Sequence, residues 1–291
     1  MSGGFVHPEY LVSPAWLAAH LRDPTLRIFD CTTHLLPDPP AIYRAVPGRA
    51  DFEAAHIPGA RFLDVQGDLS DPTQTLRFMC PTAARFQAAL RRFGVNRGDR
   101  VVLYSTANLW WATRVWWLLR VFGHDHAAVL DGGLAAWRAE GHSVATGPEP
   151  APPPGDFSAA SPRPLMATKQ DVLAAIGNSA VCTINALTEA QHTGAGGNSY
   201  GRPGHIAGSI NLPAARLIDP GTERLLPAGL LRARFAAAGA MDRAVITYCG
   251  GGIAASADAL VLIMLGHGDV RIYDASLSEW AVDPALPMAV L

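Results

Sequence analysis

Hydrophobic and polar positions follow two alternating periods along this chain. Short apolar runs such as LRIFDCT and DRVVLYS have the length and composition of buried strands. Each is followed by a longer segment, such as TAARFQAALRRFG or LWWATRVWWLLRVFG, in which apolar residues recur at helical spacing. Apolar strands separated by helices are typical of a parallel sheet that is covered on both faces. The pattern therefore predicts an α/β fold.

The same pattern occurs twice in the chain. HIPGARFLDV at residue 56 recurs as HIAGSINLPA at 205, RVVLYS at 100 as AVITYC at 244, and FGHDHAAVLDGGLAAW at 122 as LGHGDVRIYDASLSEW at 265. The offsets are 205 − 56 = 149, 249 − 105 = 144 and 280 − 137 = 143. This near-constant spacing indicates a tandem duplication of a unit of roughly 130 residues. Residues 146–164, TGPEPAPPPGDFSAASPRP, are rich in Pro, Gly and Ala and predict an extended linker between the copies.

Composition excludes several classes of protein. The chain has 291 residues, of which 49% are hydrophobic, and a formal net charge of −2, so it has no basic surplus for nucleic acid. The apolar stretches 109–123 and 245–266 are interrupted by charges or glycines, so no membrane span is expected. The N-terminus has no basic segment followed by an apolar one, which favours a cytoplasmic location. The four cysteines form no C-x-x-C pair, so neither disulfides nor a cysteine zinc site is predicted.

A lone cysteine ends a predicted strand of the second copy. In VITYCGGGIAASADALVLIMLGH, residues 245–267, Cys249 precedes three glycines and a helix. Ligands of open parallel sheets sit beyond the carboxyl ends of the strands, and glycines let successive N–H groups converge into a nest that stabilises an anion. The pattern predicts a nucleophilic Cys249 held by the main chain of its loop, which comprises Gly250, Gly251, Gly252, Ile253, Ala254 and Ala255. Cys31, Cys80 and Cys182 lack this context and are interpreted as small buried side chains.

Two other functions compete for the same loop. Residues 250–255 also fit the G-x-G-x-x-A fingerprint of dinucleotide-binding proteins, with Asp274 placed as a ribose ligand. The matching loop of copy one, STANLWWA, has no glycine, which weakens this interpretation. A cysteine phosphatase needs an arginine six residues after its cysteine to clamp phosphate, and Ala255 occupies that position.

The chain resembles the two-domain sulfurtransferases of the rhodanese superfamily. The resemblance is carried by HIPGARFLD, RVWWLLRVFGHDHAAVLDGGLAAW, HIAGSINLP, and CGGGIAASADAL followed by YDASLSEW. It covers nearly the whole chain apart from the linker. It implies a tandem pair of rhodanese-like domains, each a small parallel sheet with helices on both faces. The first domain then spans residues 1–145 and the second spans residues 165–291.

The resemblance also implies a mechanism. Cys249 in the second domain faces the first domain, in which Ser105 stands at the cysteine position and makes that copy catalytically silent. A Cys249 thiolate takes the outer sulfur of a small donor, thiosulfate or a mercapto acid, and passes it to cyanide or to a thiol acceptor like thioredoxin or glutathione. The resemblance implies neither a metal nor an organic cofactor.

Several positions depart from the family pattern. Gly250 and Gly251 stand where thiosulfate-using members have Arg and Lys, and Gly251 and Ala254 stand where mercaptopyruvate-using members have hydroxyl groups. Residues 191–202, QHTGAGGNSYGR, replace an arginine-rich segment that binds the substrate. DCTT at residues 30–33 replaces D-A-S-W, so we expect the aromatic wall of the pocket to be absent. These departures favour, as an alternative, a sulfur relay that takes persulfide from a partner protein.

Three candidates remain for contacts with substrate. His56 matches the family's interface histidine and is a candidate for proton transfer, although His205 at the same place in copy two favours a structural hydrogen bond. Arg49 matches a family arginine that attracts an anionic donor, with a solvated surface charge as its alternative. Arg202 is the one arginine available to replace the charges missing from residues 191–202.

Residues present in both copies are interpreted as structural. Asp131 and Asp274 begin equivalent turns and are expected to act as turn and helix-capping residues. Core positions are predicted for Trp137 and Trp280 and for the tryptophans of residues 110–117.

Overall fold

The computed structural model describes residues 4–39, 41–196 and 200–291. In these ranges the chain forms fourteen strands and ten α-helices. The strands are β1 (Leu11–Val12), β2 (Leu26–Asp30), β3 (Thr33–Asp38), β4 (Ala41–Pro47), β5 (Ala60–Phe62), β6 (Arg100–Tyr104), β7 (Ala127–Leu130), β8 (Met166–Ala167), β9 (Val181–Asn185), β10 (His205–Ile206), β11 (Ile210–Asn211), β12 (Ala244–Tyr248), β13 (Val270–Tyr273) and β14 (Met288–Ala289). The helices are α1 (Pro14–His20), α2 (Arg49–Ala54), α3 (Ala83–Arg92), α4 (Leu109–Val121), α5 (Gly133–Ala139), α6 (Lys169–Ala175), α7 (Glu189–Thr193), α8 (Ala228–Ala237), α9 (Ala255–Met264) and α10 (Ser276–Trp280).

Each half of the described chain holds one parallel five-stranded sheet. The strand order is β5-β2-β6-β7-β1 in the first half and β11-β9-β12-β13-β8 in the second. Matching strands occupy matching places, and all neighbours within these sheets run parallel. The α/β fold with two equivalent units, which the repeat predicted, is confirmed. A β3–β4 hairpin in the first half and a β10–β14 pair in the second lie outside the two main sheets.

Helices cover both faces of each sheet. In the first unit, α1 and α5 enclose one apolar cluster around Leu17 and Trp137, while α3 and α4 contribute to a second cluster on the opposite face. In the second unit, α6 and α10 enclose a cluster around Trp280. The remaining faces of the two units share a single cluster, which includes the α4 and α9 side chains. Because apolar burial drives association, this shared core holds the two units together.

The two units are related by an approximate two-fold arrangement at α4 and α9. These equivalent helices pack against each other, and Thr113 Oγ1 lies 2.6 Å from Ser256 Oγ. The two residues differ by 256 − 113 = 143, the offset that also relates Trp137 to Trp280. A residue that meets its own equivalent across an interface indicates a local two-fold axis.

Residues 146–164 contain no helix or strand, and they lie along the first unit. The N–H of Gly155 donates to Arg91 O, and that of Phe157 donates to Val95 O. The Phe157 ring, 1% exposed, packs against Phe86 at 5.9 Å between centroids. These contacts, with Phe157 as an aromatic anchor, fix the segment against the first unit. None of the helices formed by the described residues is long and apolar enough to cross a membrane.

Candidate active site at Cys249

Cys249 lies directly after β12, the central strand of the second sheet. The strand is fixed on both sides by parallel neighbours, β9 and β13, so the position of the next residue is well determined. Tyr248, the last residue of the strand, accepts the Ile206 N–H at 3.0 Å with its hydroxyl and lies 2.7 Å from Ser209 Oγ. Cys249 itself is 2% exposed and lines a cavity. A buried strand end of this kind presents the sulfur from a rigid support.

Ser276, the first residue of α10, organises the loop after Cys249. Its Oγ accepts the N–H groups of Cys249 at 3.0 Å and Gly252 at 3.2 Å, and it donates to Tyr273 O at 2.8 Å. Ser276 has φ of +52°, a left-handed conformation that costs a non-glycine residue about 1 kcal/mol or more. The three hydrogen bonds that its hydroxyl group makes hold Ser276 in this conformation. Ser276 was not singled out from the sequence, although its position two residues after Asp274 was an available signal.

The loop leaves several main-chain donors free beside the sulfur. In the described part of the chain, the N–H groups of Gly250, Gly251, Ile253 and Ala254 have no acceptor, and all four residues line the cavity with Cys249. Gly252 has φ of +73° and donates to Ser276, so its N–H is already used. Four residues of the predicted six-residue loop thus have a main-chain donor without an acceptor beside the cavity, and N–H groups close to a helix N-terminus favour an anion.

The three glycines of the loop have different roles. A Cβ on Gly250 would lie 1.9 Å from Cζ of Tyr200, so the ring of Tyr200 rests directly on the main chain. A Cβ on Gly251 would meet no atom closer than 3.9 Å. Gly252 requires its positive φ. The close approach at Gly250 and the backbone turn at Gly252 therefore explain two of the glycines.

The cavity at Cys249 has a volume of about 210 Å³ and mainly apolar walls. Its aromatic lining comes from both units: Tyr43, Phe78, Trp110, Trp111 and Tyr200. The expectation that the pocket lacks an aromatic wall is therefore wrong, because β4, α4 and the segments around residues 78 and 200 supply one. The expectation that the tryptophans of residues 110–117 belong to the core holds for Trp111, which is 1% exposed and also lines this cavity, whereas Trp110 is only partly buried. Trp117, Trp137 and Trp280 are core residues, as predicted.

Two phenol groups lie close to the sulfur. Burial raises the pKa of Tyr43 and of Tyr200, and the negative charge of Cys249 adds to the effect in both cases. Both hydroxyl groups therefore stay protonated at neutral pH and can donate hydrogen bonds without adding charge. Neither tyrosine was singled out from the sequence, because its approach to Cys249 depends on the packing of β4 and of the segment before β10.

A buried ion pair joins the first unit to the Cys249 loop. Arg114 Nη1 lies 2.6 Å from Asp274 Oδ1 and 3.5 Å from Gly252 O, and the Arg114 side chain is fully buried. The other Asp274 oxygen accepts the Cys80 N–H at 2.7 Å. Asp131, in the first unit, contacts the second unit: its Oδ1 accepts the Leu225 N–H at 2.9 Å. The two aspartates are thus contacts between the units, which corrects their interpretation as local caps. The carboxylate of Asp274 is occupied and is not free to bind a ribose.

His56 and Arg49 lie outside the lining of this cavity. The Nδ1 of His56 donates to Phe52 O at 2.7 Å, its ring stacks on Phe52 at 4.0 Å, and its Nε2 lies 3.1 Å from Glu149 Oε1. His205 makes the equivalent contacts with His192 O and the His192 ring. The guanidinium of Arg49 lies 4.8 Å above the Phe62 ring. This geometry favours the structural alternative for His56.

Arg202 binds main-chain oxygens of the C-terminal segment. Its side chain donates to the carbonyls of Trp280, Ala281, Asp283 and Leu286 at 2.5 to 3.3 Å. A guanidinium engaged in this way does not replace the cations missing from residues 191–202. Residues 197–199 of that segment lie outside the described residues.

The other three cysteines have inert surroundings. Cys31 and Cys182 are buried, and burial raises the pKa of both thiols. Burial also raises the pKa of Cys80, to about 12, with Asp274 as a second cause. Their interpretation as structural thiols is consistent with these surroundings. In the ranges that the structure describes, His, Cys, Asp and Glu side chains form no group of three or more that could hold a metal ion.

Comparison with known proteins agrees with this architecture. The model of the rhodanese-like domain matches twice, at residues 13–140 and 171–283. The chain is 34% identical to thiosulfate/3-mercaptopyruvate sulfurtransferase 1, mitochondrial, of Arabidopsis thaliana, over 96% of this chain and 78% of that protein. It is 33% identical to the 3-mercaptopyruvate sulfurtransferase of Escherichia coli K12, with 96% and 97% covered, and 32% identical to the thiosulfate sulfurtransferase of Rattus norvegicus, with 93% and 91% covered.

A solved structure shows the same arrangement of both units. The crystal structure of SseA from Escherichia coli, described as having the rhodanese fold, superposes with a TM-score of 0.81 at 32% identity, covering 93% of this chain and 99% of that one. Two matched domains, the extensive coverage of the relatives and this superposition agree with the repeat and with the fold of the two units. The chain is therefore a two-domain member of the rhodanese family of sulfurtransferases.

Proposed function

We propose that this protein transfers sulfane sulfur through a persulfide on Cys249. The observation that carries the proposal is the geometry of the loop: one cysteine at a strand end, beside four main-chain N–H groups without acceptors. A persulfide is an anion at neutral pH, and such a group of donors holds an anion without a side-chain cation. No step of this transfer requires a metal or an organic cofactor.

The transfer has two half-reactions. In the first, the Cys249 thiolate attacks the outer sulfur of the donor, the bond to that sulfur breaks, and the remainder leaves with the electron pair. With thiosulfate the leaving group is sulfite. In the second, a thiol acceptor such as thioredoxin or glutathione, or cyanide, attacks the outer persulfide sulfur and regenerates the thiolate. The names of the relatives suggest thiosulfate and 3-mercaptopyruvate as donors.

The first unit provides one side of the cavity and no nucleophile. Tyr43, Phe78 and Trp110 come from this unit and close over a sulfur that belongs to the other. Ser105 occupies the cysteine position in the first unit and lines a separate cavity of about 240 Å³. Exclusion of water from the Cys249 cavity protects a persulfide from side reactions. A cytoplasmic location remains a prediction of the sequence.

Intact mass after incubation with each donor tests the proposal. We expect thiosulfate or 3-mercaptopyruvate to add about 32 Da, an adduct that dithiothreitol removes and that Cys249→Ser abolishes. Ser105→Ala is the matched control and should retain the adduct. A folded protein that gains no sulfur from either donor, but does gain it from a protein persulfide, would replace this proposal with the relay. Sulfur that remains on Cys249→Ser would remove Cys249 from the mechanism.

A further inference from the structure

The composition of the Cys249 cavity defines the kind of donor that fits. We propose that the site selects donors whose sulfur is carried by an apolar, preferably aromatic, group with at most one negative charge, and that it disfavours the compact thiosulfate dianion. This inference rests on the proposed persulfide function. Aromatic thiosulfonates are the simplest donors of this class.

The walls of the cavity suit a ring. Phe78 and Trp111 pack together at 5.3 Å between centroids, and Tyr43 and Tyr200 add two further faces. Leu35, Leu187 and Pro213 complete the apolar lining. Aromatic side chains gain about 0.5 to 1.5 kcal/mol from ring contacts in addition to the burial of apolar area. A small sulfonate group makes none of these contacts.

The walls also lack a charge to balance a dianion. Of the described residues that line the cavity, none is Arg or Lys. Residues 197–199, which the structure does not describe, are Gly, Asn and Ser and so bring no positive charge either. A dianion that enters a cavity of this kind loses hydration without gaining a counter-charge. The free N–H groups of the loop compensate for one localised charge at the outer sulfur.

The arginines near the site are committed to other partners. Arg114 is paired with Asp274, and Arg202 is bound by four carbonyls. Arg77 is exposed at the mouth, where its guanidinium lies 5.3 Å from the Tyr43 ring centroid and donates to Tyr43 O at 2.8 Å. One solvated cation at the mouth attracts a singly charged donor without holding a dianion inside the cavity.

The reaction of such a donor balances without a further reactant. The Cys249 thiolate attacks the terminal sulfur of benzenethiosulfonate, a new S–S bond forms, and the S–S bond to the sulfonyl sulfur breaks. Benzenesulfinate leaves with the electron pair, and Cys249 carries the persulfide anion. Each side of the reaction carries two negative charges, and no proton is transferred. The neutral phenols of Tyr43 and Tyr200 therefore do not have to supply one.

A series of three donors separates the effect of an aromatic ring on the transfer rate from the effect of the donor's charge. Benzenethiosulfonate and methanethiosulfonate share the reacting group and the single charge but differ in the ring, and thiosulfate has no organic group and carries two charges. With each kcat/KM normalised to the rate of the same donor with a free thiol, we expect benzenethiosulfonate to exceed methanethiosulfonate by about ten- to a hundredfold. Thiosulfate should be the poorest donor of the three.

Two neighbouring leucines provide a matched pair of variants. Leu35 and Leu36, both in β3, are 41% and 38% exposed, but only Leu35 is part of the cavity lining. Successive strand residues point to opposite faces, so Leu35→Arg adds a cation at the cavity and Leu36→Arg adds the same charge elsewhere. We expect Leu35→Arg to raise kcat/KM for thiosulfate about two- to fivefold and to reduce the preference for the ring. Leu36→Arg should change neither.

The outcomes distinguish the two proposals. If no donor adds sulfur to Cys249, the proposed function fails, and the inference fails with it. If sulfur is transferred but normalised thiosulfate matches or exceeds benzenethiosulfonate, the function stands and the inference is wrong. Equal responses of Leu35→Arg and Leu36→Arg would also overturn it, because the cavity would then not be the place where charge is sensed.

Discussion

The two copies place the same strand, loop and helix at the centre of the molecule and use them differently. In the first copy, β6 leads through Ser105 and a short loop into α4, which begins at Leu109. In the second, β12 leads through Cys249 into α9, which begins at Ala255. Since 255 − 143 = 112, α9 starts at the position equivalent to Ala112, three residues later than α4. The helix of the second copy therefore lacks about one turn at its N-terminus.

The difference between the two loops supports the proposal that the second copy carries the nucleophile. In the first copy, the N–H of Thr106 donates to Thr32 Oγ1 at 2.9 Å and that of Ala107 donates to Ser105 Oγ at 3.1 Å. In the second copy, Gly252 with its positive φ lies before α9, and the N–H groups of Gly250, Gly251, Ile253 and Ala254 have no acceptor among the described residues. The duplicated sheet provides the support, and the loop decides which copy can stabilise an anion.

The largest expected effect comes from moving the cysteine of the proposed site from one copy to the other. We expect the double variant Cys249→Ser/Ser105→Cys to lose sulfur transfer by at least about a thousandfold, because the Thr106 N–H stays bound to Thr32 Oγ1 and the loop after residue 105 has no glycine. The cavity at Ser105 is also lined by Asp219 and Glu223, which repel an anionic donor. Rates of persulfide formation, followed by mass, measure the effect. Activity near that of the unchanged chain would show that the loops are interchangeable.

The two aspartates that connect the units should differ in their contribution to stability. Asp274→Ala leaves the buried Arg114 charge without its partner and should lower the free energy of unfolding by about 3 to 5 kcal/mol. Asp131→Ala removes a single hydrogen bond to Leu225 and should cost about 1 kcal/mol. Urea unfolding of both variants measures the difference. Equal losses would mean that the Arg114 pair adds nothing to the connection.

Ser276 provides a smaller test of the same comparison. Its equivalent, at 276 − 143 = 133, is Gly133, and the two residues have φ values of +52° and +55°. Ser276→Ala removes the acceptor of two buried N–H groups and should cost about 2 to 3 kcal/mol of stability and slow persulfide formation about tenfold. Ser276→Gly should be less damaging by about 1 kcal/mol, because it also relieves the left-handed backbone. If Ser276→Ala and Ser276→Gly lose the same unfolding free energy, the left-handed backbone at residue 276 carries no strain.

The smallest expected effect is a gain of stability in α9. Asp258 is fully buried, both of its carboxyl oxygens lack a partner among the described residues, and burial raises its pKa well above the ordinary 3.8. A carboxyl with a raised folded-state pKa stabilises the fold most at low pH, and this contribution is lost as the pH rises above 3.8. The equivalent residue, at 258 − 143 = 115, is the buried Val115.

Asp258→Val should therefore stabilise the protein at neutral pH by about 1 to 2 kcal/mol. The variant should also lack the part of the loss in unfolding free energy between acidic and neutral pH that is due to Asp258. Urea unfolding at pH 4.5 and at pH 7.5 measures both effects. The first pH is about one unit above the ordinary carboxyl pKa, and the second is several units above it. A loss of stability at neutral pH would indicate a partner or a role for the Asp258 carboxylate.

Much of the fold could be predicted from local patterns. Strand length, helical periodicity and the repeat offsets can be read from local stretches of sequence, so they identified the two parallel-sheet units. The position of Cys249 at the end of a strand was predictable for the same reason, because a strand end followed by glycines is a local feature. The roles of His56 and Arg202 were less accessible, since the carbonyls and rings that hold them come from distant segments.

The sequence by itself determined that two equivalent α/β units exist, that one carries Cys249 where the other carries Ser105, and that glycines follow the cysteine. Only the tertiary structure decided what surrounds the sulfur. Tyr43, Trp110 and Tyr200 are far apart in the chain, and their meeting at Cys249 depends on the packing of α4 against α9 and on the shared core between the units. Side-chain chemistry is specified residue by residue, whereas the charge and shape of a cavity arise from packing between distant segments.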